Sequence, residues 1–340
     1  MVFFRIDLNQ KNGLGHYYRI KSLIKYLKIK KYKIIIESFL EHTFFKNEKK
    51  NFLYLYNLKK KFKNEKEDAK QFIKITNINR KRDIVIKDSY KLNYLWEKKI
   101  AKHCKKIFII DDFPKKKHFA DYYINHNPAF DNLDTSCLSK LKKNNKKNCK
   151  FLLGSGFSLF NNSFDKKNKN SSDYVFYSGG SGNPLVYEKI IINLLKLKTK
   201  FKIIIILGPL IRKKNYNAVF KKFGKFANIK IVSQPQNILN FLSKTKVFVS
   251  TAGVSMFESS FLKVPTLVIK MFPNQSLQDS DYEKLGHYIT LDKKDLKSED
   301  KVTSLLKLMI NNRMLLKNLM VKSTLNVEAI KRNFRCNIKF

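Results

Sequence analysis

Short apolar runs alternate with helical patterns along the whole chain. In the first half, Val2–Leu8, Lys33–Glu37, Asp83–Lys87, Ile107–Asp111 and Tyr122–Asn125 read as strands. Helical stretches such as Tyr17–Lys28 and Tyr90–Cys104 lie between them. In the second half the strand candidates are Tyr174–Ser178, Lys202–Leu207, Ile229–Val232, Val247–Ser250 and Thr266–Ile269. Helical spacing fills the gaps at Pro184–Lys196, Tyr216–Phe226, Asn237–Lys244, Met256–Lys263 and Ser276–Leu285, and Leu305–Phe340 reads as further helices. Continuous apolar strands separated by helices predict parallel sheets covered on both faces. The most polar interruption, residues 161–173, reads as a linker. It divides an α/β domain over 1–160 from a second over 174–325, with a C-terminal helix or tail at 326–340. The fold class expected is α/β, with two doubly wound Rossmann-like domains facing across a cleft. Open sheets of this kind take ligands beyond the carboxyl ends of their strands.

Three strand-to-helix junctions carry candidate chemistry. The first runs from Phe4-Arg5-Ile6-Asp7 into Gly13-Leu14-Gly15-His16-Tyr17-Tyr18-Arg19. Strand, glycine loop and helix start make a place to hold an anion, and a histidine there can move a proton near neutral pH. The spacing is not the dinucleotide fingerprint, because Tyr18 stands where its third glycine belongs. A tight turn with a surface histidine also fits these residues. The second junction is Ser178-Gly179-Gly180-Ser181-Gly182-Asn183-Pro184. Its glycines let backbone N–H groups approach phosphate oxygens, and Pro184 suits a first helical position. It also fits a plain turn. The third is Ser250-Thr251-Ala252-Gly253-Val254-Ser255-Met256-Phe257-Glu258. A carboxylate at Glu258 can accept two hydrogen bonds from a ribose diol. Ser255-x-x-Glu258 equally fits a capping box. Asn274-Gln275, after the next strand, suits a phosphate or sugar contact.

At 340 residues the chain is long enough for two full cores, and its 43% hydrophobic content excludes a disordered protein. The net charge of +43 raises nucleic acid or an anionic membrane as partner. Of 70 basic residues, however, only eight are arginine, and the 62 lysines are spread along the chain. Bidentate base and phosphate contacts favour arginine, so the composition reads as lysine bias and no nucleic-acid partner is expected. A nucleic-acid binder would also leave the glycine–histidine junction unexplained. Cys104, Cys137, Cys149 and Cys336 show no C-x-x-C spacing, so neither zinc nor a disulfide framework is suggested. No run of about 18 apolar residues exists, so no integral membrane segment is expected, though a basic face allows peripheral membrane contact. The chain begins directly with a strand, so no signal peptide is expected and the compartment expected is a reducing cytoplasm.

The junctions, in this order, resemble one family from about residue 2 to 290. Its signature here is Arg5-x-Asp7, Gly13-x-Gly15-His16-x-x-Arg19, Asp88-Ser89-Tyr90, Asp111-Asp112, Asn125-x-Asn127, Gly154-x-Gly156-Phe157, Gly179-Gly180-Ser181, Ala252-Gly253 with Glu258, and Asn274-Gln275. The chain resembles the hydrolase of UDP-2,4-diacetamido-2,4,6-trideoxy-beta-L-altropyranose in pseudaminic acid biosynthesis. That family is similar to the peptidoglycan N-acetylglucosaminyltransferase and has the GT-B fold. Two departures bear on the sugar. Ser89 stands where a bulkier residue, often histidine, is expected, and lysine-rich insertions fall near 46–70 and 138–150.

The resemblance implies that water attacks sugar C1 and releases UDP and the free sugar, with inversion and with neither metal nor cofactor. His16 is the implied base, and the positive end of a helix dipole favours a neutral imidazole. Asp7 is expected to orient His16 or the sugar. Gly179, Gly180, Ser181, Ala252, Gly253, Glu258 and Gln275 are the implied UDP contacts. Gly13, Gly15, Arg19, Tyr90 and Asn274 are the implied sugar or pyrophosphate contacts. The UDP-sugar is the expected partner, and a monomer is expected. A GT-B glycosyltransferase using a UDP-sugar donor fits the same residues, with His16 deprotonating an acceptor hydroxyl instead of water.

Overall fold

The computed structural model describes the chain except residues 11, 39–42, 57–63, 133–134, 166–170, 198, 272–287, 320–324 and 339–340. The chain forms two compact units. The first comprises residues 1–9, 16–159 and 327–340, and the second residues 10–15 and 160–326.

In the first unit the described strands are β1 (Val2–Ile6), β2 (Tyr32–Ser38), β3 (Phe52–Tyr56), β4 (Ile84–Asp88), β5 (Lys106–Ile110), β6 (Tyr122–Asn125) and β7 (Lys150–Leu153). They make one sheet in the order β3-β2-β1-β4-β5-β6-β7, all parallel. The helices are α1 (Gly15–Tyr26), α2 (Glu65–Thr76), α3 (Tyr94–Ile100) and α4 (Thr135–Lys143). The central strands are buried on both faces and mostly apolar, as parallel strands between helix layers are, with Arg5, Lys87 and Asp88 as buried exceptions. Phe3, Ile35, Val85, Ile107 and Ile109 form one core with Phe72 of α2 and Trp96 of α3.

The second unit repeats the plan. Its strands are β8 (Ser172–Tyr177), β9 (Ile203–Leu207), β10 (Ile229–Ser233), β11 (Thr245–Thr251), β12 (Thr266–Lys270) and β13 (Tyr288–Asp292). They pair in the order β10-β9-β8-β11-β12-β13, again all parallel. Its helices are α5 (Glu188–Leu195), α6 (Lys213–Phe223), α7 (Leu239–Leu242), α8 (Val254–Phe261), α9 (Glu299–Asn311) and α10 (Arg313–Leu319). The last helix, α11 (Val327–Asn337), groups with the first unit, where Phe334 meets Tyr26 and Phe157.

In each sheet the strand order reverses once, between β1 and β4 and between β8 and β11. The chain leaves neighbouring strands in opposite directions there, so a crevice opens at their carboxyl ends. The candidate junctions all lie at these two points.

Several expected elements need correction. The stretch near 46–70 is not only an insertion, because it holds β3 and the start of α2, with Phe52, Leu55 and Tyr56 buried. The stretch near 138–150 carries most of α4 and the start of edge strand β7. Strand β13 is an edge strand that the apolar pattern does not single out. The helix expected at Ser276–Leu285 lies outside the described residues.

A buried ion pair ties β1 to α2. Arg5 Nε and Nη2 donate to Asp68 at 3.3 and 2.7 Å, Trp96 Nε1 donates to the same carboxylate at 2.8 Å, and Arg5 Nη1 donates to the Ile6 carbonyl at 2.6 Å. Arg5 and Asp68 are both fully buried. Removing one partner strands the other charge in the core. Arg5→Ala is therefore expected to lower the stability of the first unit by about 3–5 kcal/mol, measured by urea unfolding. The double change Arg5→Met with Asp68→Leu is expected to recover most of that loss. A single-variant loss under about 1 kcal/mol would contradict this reading of the pair.

Candidate functional site

In the first unit the site grows from the ends of β1, β4 and β5. Register pairs Ile6 with Asp88, and the Asp7 amide donates to the Asp88 carbonyl at 3.3 Å. Asp88 is thereby fixed at the switch point beside the first turns of α1. Two side chains of that helix, three residues apart and so on one face, meet its carboxylate. His16 Nδ1 lies 2.7 Å from Asp88 Oδ1. Arg19 Nη2 and Nε donate to Oδ1 and Oδ2 at 2.6 and 2.9 Å. Arg19 Nη1 reaches across to both oxygens of Asp112 at 2.8 and 2.7 Å. The Tyr90 hydroxyl also donates to Asp112, and its ring meets the His16 ring edge-on at 4.7 Å.

Burial alone would raise the Asp88 carboxyl, but Arg19 and His16 outweigh it and hold the group below its ordinary value. Asp112 is likewise held well down, by Arg19 and His126 against burial. Asp88 is thus ionised and can only accept. Its 2.7 Å contact with His16 then calls for a proton on Nδ1, a nitrogen that Arg19 Nη2 also approaches to 3.0 Å, and in that tautomer the neutral ring carries its lone pair on Nε2. His126 is buried behind Asp112, and that burial pushes it down to about 4 although Asp112 pulls the other way.

The sequence suggests that Asp7 orients His16 or the sugar. In the structure Asp88 holds His16. Asp7 instead accepts from the Ser89 hydroxyl at 2.9 Å and the Tyr90 amide at 3.0 Å, so it shapes the loop that presents Tyr90. Ser89 is fully buried in that contact.

A second charged network lies next to the first and was not foreseen. Fully buried Lys87 donates to Glu97 at 2.6 Å and to the Leu92 carbonyl at 2.7 Å. His118 Nδ1 lies 2.8 Å from Glu97, whose other oxygen accepts from the Phe119 amide at 2.6 Å. Burial opposes the charge on Glu97, but Lys87 and His118 outweigh it and hold the carboxyl well down. His118 Nε2 faces Asp111 Oδ2 at 3.5 Å, and neither atom has a hydrogen-bond partner. Burial raises the Asp111 carboxyl despite Lys87, Lys116 and His118 nearby.

The second unit presents two backbone features at its own switch point. After β8, Gly179 adopts φ +87°, a conformation that L side chains rarely take. A Cβ on Gly182 would lie 1.8 Å from the Ser178 carbonyl oxygen, so only glycine fits that turn. The Leu210 amide donates to the Gly180 carbonyl at 2.8 Å and ties the loop to the end of β9. After β11, Gly253 opens α8 with no side-chain cap. The Met256 amide donates to the Gly253 carbonyl at 3.0 Å, and no side chain caps the amides before it. The capping box allowed by the sequence does not form. Ser255 lies inside the helix and shares a 3.1 Å hydrogen bond with Ser250. Glu258 is buried at 5% exposure and accepts from the Asn161 backbone amide. Burial pushes its carboxyl up to about 8, and the Asn161 amide only partly offsets that.

His16, Arg19, Asp7 and Tyr90 therefore come together in the first unit, and Gly179, Gly180, Ser181, Ala252, Gly253 and Glu258 around the switch point of the second. Gly13 and Gly15 group with the second unit. Asn274 and Gln275 lie outside the described residues. Among the described residues, no group of three or more His, Cys, Asp or Glu side chains is placed to hold a metal ion. Also among them, no helix is long and apolar enough to cross a membrane.

The profile of the UDP-glucoronosyl and UDP-glucosyl transferase family matches residues 225–330. An uncharacterized protein of Methanocaldococcus jannaschii is 25% identical over 290 residues, which are 82% of this chain. The chain spans only 57% of that relative's length. Among solved structures, the UDP complex of Staphylococcus aureus MnaA superposes with a TM-score of 0.60 at 12% identity, covering 97% of this chain and 94% of that one. MurG of Acinetobacter baumannii gives 0.60 at 12% identity, with 99% and 98% covered. Methanocaldococcus jannaschii UDP-GlcNAc 2-epimerase, solved with UDP-GlcNAc and UDP, gives 0.57 at 14%, with 99% of each covered. These likenesses establish the fold: two parallel-sheet α/β units of the GT-B type.

Glu258 yields a pH prediction. Its folded value of about 8 lies above its ordinary 4.5, so its contribution to stability is full below pH 4.5 and is lost as pH rises through about 8. Glu258→Gln removes that titration. Thermal midpoints across pH 4.5 to 8 are expected to fall for the wild type relative to the variant. Parallel curves would contradict the raised value.

Proposed function

We propose that this chain acts on UDP-sugars and breaks the bond between sugar C1 and the diphosphate, with His16 as general base. The observation that carries this reading is the Asp88–His16 pair at the start of α1, with Nδ1 2.7 Å from the carboxylate. His16 Nε2 takes the proton of an incoming hydroxyl. The new oxygen–C1 bond forms as the C1–O bond to UDP breaks, and the electron pair leaves on the diphosphate. A single displacement of this kind inverts C1. Backbone amides at Gly179–Ser181 and at the start of α8 are suited to the diphosphate charge, and Glu258 to the ribose hydroxyls.

The first reading of the acceptor is a hydroxyl group, which makes the chain a glycosyltransferase. The transferase match over 225–330 supports it, because that segment contains the α8 junction and Glu258. The second reading is hydrolysis of a UDP-linked 2,4-diacetamido-2,4,6-trideoxy sugar. Two observations favour it: the ordered signature from Arg5 to Gln275, and the 4% exposure of His16, which suits a nucleophile as small as water.

UDP release from UDP-GlcNAc and from the diacetamido sugar nucleotide separates the two. Release that needs an added hydroxyl acceptor supports the transferase, and release in water alone supports the hydrolase. No UDP binding by calorimetry would contradict both. His16→Ala is expected to cut turnover by about 10²–10⁴-fold while leaving UDP affinity unchanged. Glu258→Ala is expected to weaken UDP binding by about tenfold or more, read by titration.

A further inference from the structure

Eight large hydrophobic side chains are exposed among the described residues, and four of them fall between residues 308 and 319: Leu308, Met314, Leu315 and Leu319. Leu308, Met314 and Leu315 are each about 60% exposed. Helix α10 reads Arg-Met-Leu-Leu-Lys-Asn-Leu, yet none of its residues is buried. Leu316 packs against the core of the second unit, as do Leu305 and Ile310 of α9. That anchorage leaves Met314 and Leu315 facing away from the core, and Leu319 at the end of α10 is 45% exposed. The aromatic Phe3, Phe4 and Phe45 of the first unit are core residues, so among the described residues the run of exposed apolar side chains lies at α9–α10.

The charge along this segment has one sign. From residue 301 to 319 there are four cations (Lys301, Lys307, Arg313 and Lys317) and no carboxylate. The nearest acids before it, Glu299 and Asp300, sit at the other end of α9. An exposed apolar face with a rim of cations has the composition of a helix that lies in the headgroup layer of a membrane. The side chains enter the acyl boundary, and the lysines meet anionic lipid. An acidic protein surface or nucleic acid would satisfy the cations but not the outward leucines.

We propose that the α9–α10 face of the second unit docks this protein on anionic membrane surfaces, with Met314, Leu315 and Leu319 entering the lipid. The whole chain's charge of +43 adds long-range attraction and by itself gives only salt-sensitive association. The apolar insertion is what distinguishes this face.

The test uses the full chain and sedimentation with vesicles of phosphatidylcholine, alone or with about a third phosphatidylglycerol. Wild type is expected to bind the anionic vesicles and to keep part of that binding in high salt. The triple change Met314→Ser, Leu315→Ser and Leu319→Ser leaves the net charge untouched and alters only exposed side chains. It is expected to lose at least about tenfold in partitioning and all of the salt-resistant part. Circular dichroism checks that the variant is folded, and the single change Leu315→Glu gives an independent reading if the triple variant fails that check. Unchanged binding by a folded variant would overturn the proposal and assign the association to bulk charge. Sedimentation velocity showing a dimer that the same changes dissociate would overturn it in favour of a second copy of the chain.

Discussion

The Asp88 carboxylate at the end of β4 sits where the first sheet changes direction, and the active arrangement hangs on it. Its two oxygens hold His16 and Arg19 at once, and Arg19 passes the restraint on to Asp112 and, through that group, to Tyr90. A buried carboxylate with these partners stays charged, because the Arg19 guanidinium and the hydrogen bonds from Arg19 and His16 outweigh the cost of burial. Being charged, it can only accept, which dictates the proton on His16 Nδ1. One electrostatic contact thus sets ring orientation, tautomer and the position of the guanidinium together.

The surrounding fold is arranged to keep that carboxylate still. Parallel pairing of β4 with β1 and β5 fixes it from both sides. Its neighbour Lys87 is locked by Glu97 and Leu92, and Glu97 in turn holds His118 and the Phe119 amide. Successive residues of a strand point to opposite faces, so Lys87 anchors one side of β4 while Asp88 works on the other. Asp111 and Asp112 divide in the same way after β5: Asp112 serves Arg19, and Asp111 faces His118. The cost is a buried Asp111 carboxyl that lacks a full set of partners.

Much of this was legible in the sequence. Strands such as Val2–Ile6, Ile84–Asp88 and Ile203–Leu207 show because apolar residues run through both of their faces, interrupted only by Arg5, Lys87 and Asp88, and the glycine junctions show because their turns exclude side chains. Strand β3 and helix α2 were obscured by the lysines around them, whose charged ends reach water while nearby Phe52, Leu55 and Phe72 are buried. The partner of His16 was missed for a different reason. Asp7 is nearer in sequence, but the strand order places β4 beside β1 and so brings Asp88 to the ring from 72 residues away. That choice is made by sheet topology, which residue patterns alone do not fix. The exposed side of α10 was equally hidden, since Met-Leu-Leu at helical spacing reads as core until packing shows which side faces inward.

The most direct test of the account is ¹⁵N NMR of the His16 imidazole in the wild type and in Asp88→Asn, at neutral pH and without ligand. A proton on Nδ1 is expected in the wild type, with the lone pair of the neutral ring on Nε2. That preference is expected to be lost or reversed when the carboxylate becomes an amide. A wild-type ring protonated at Nε2 with a bare Nδ1 would contradict the account, because His16 could then not serve as the base that the site is built around.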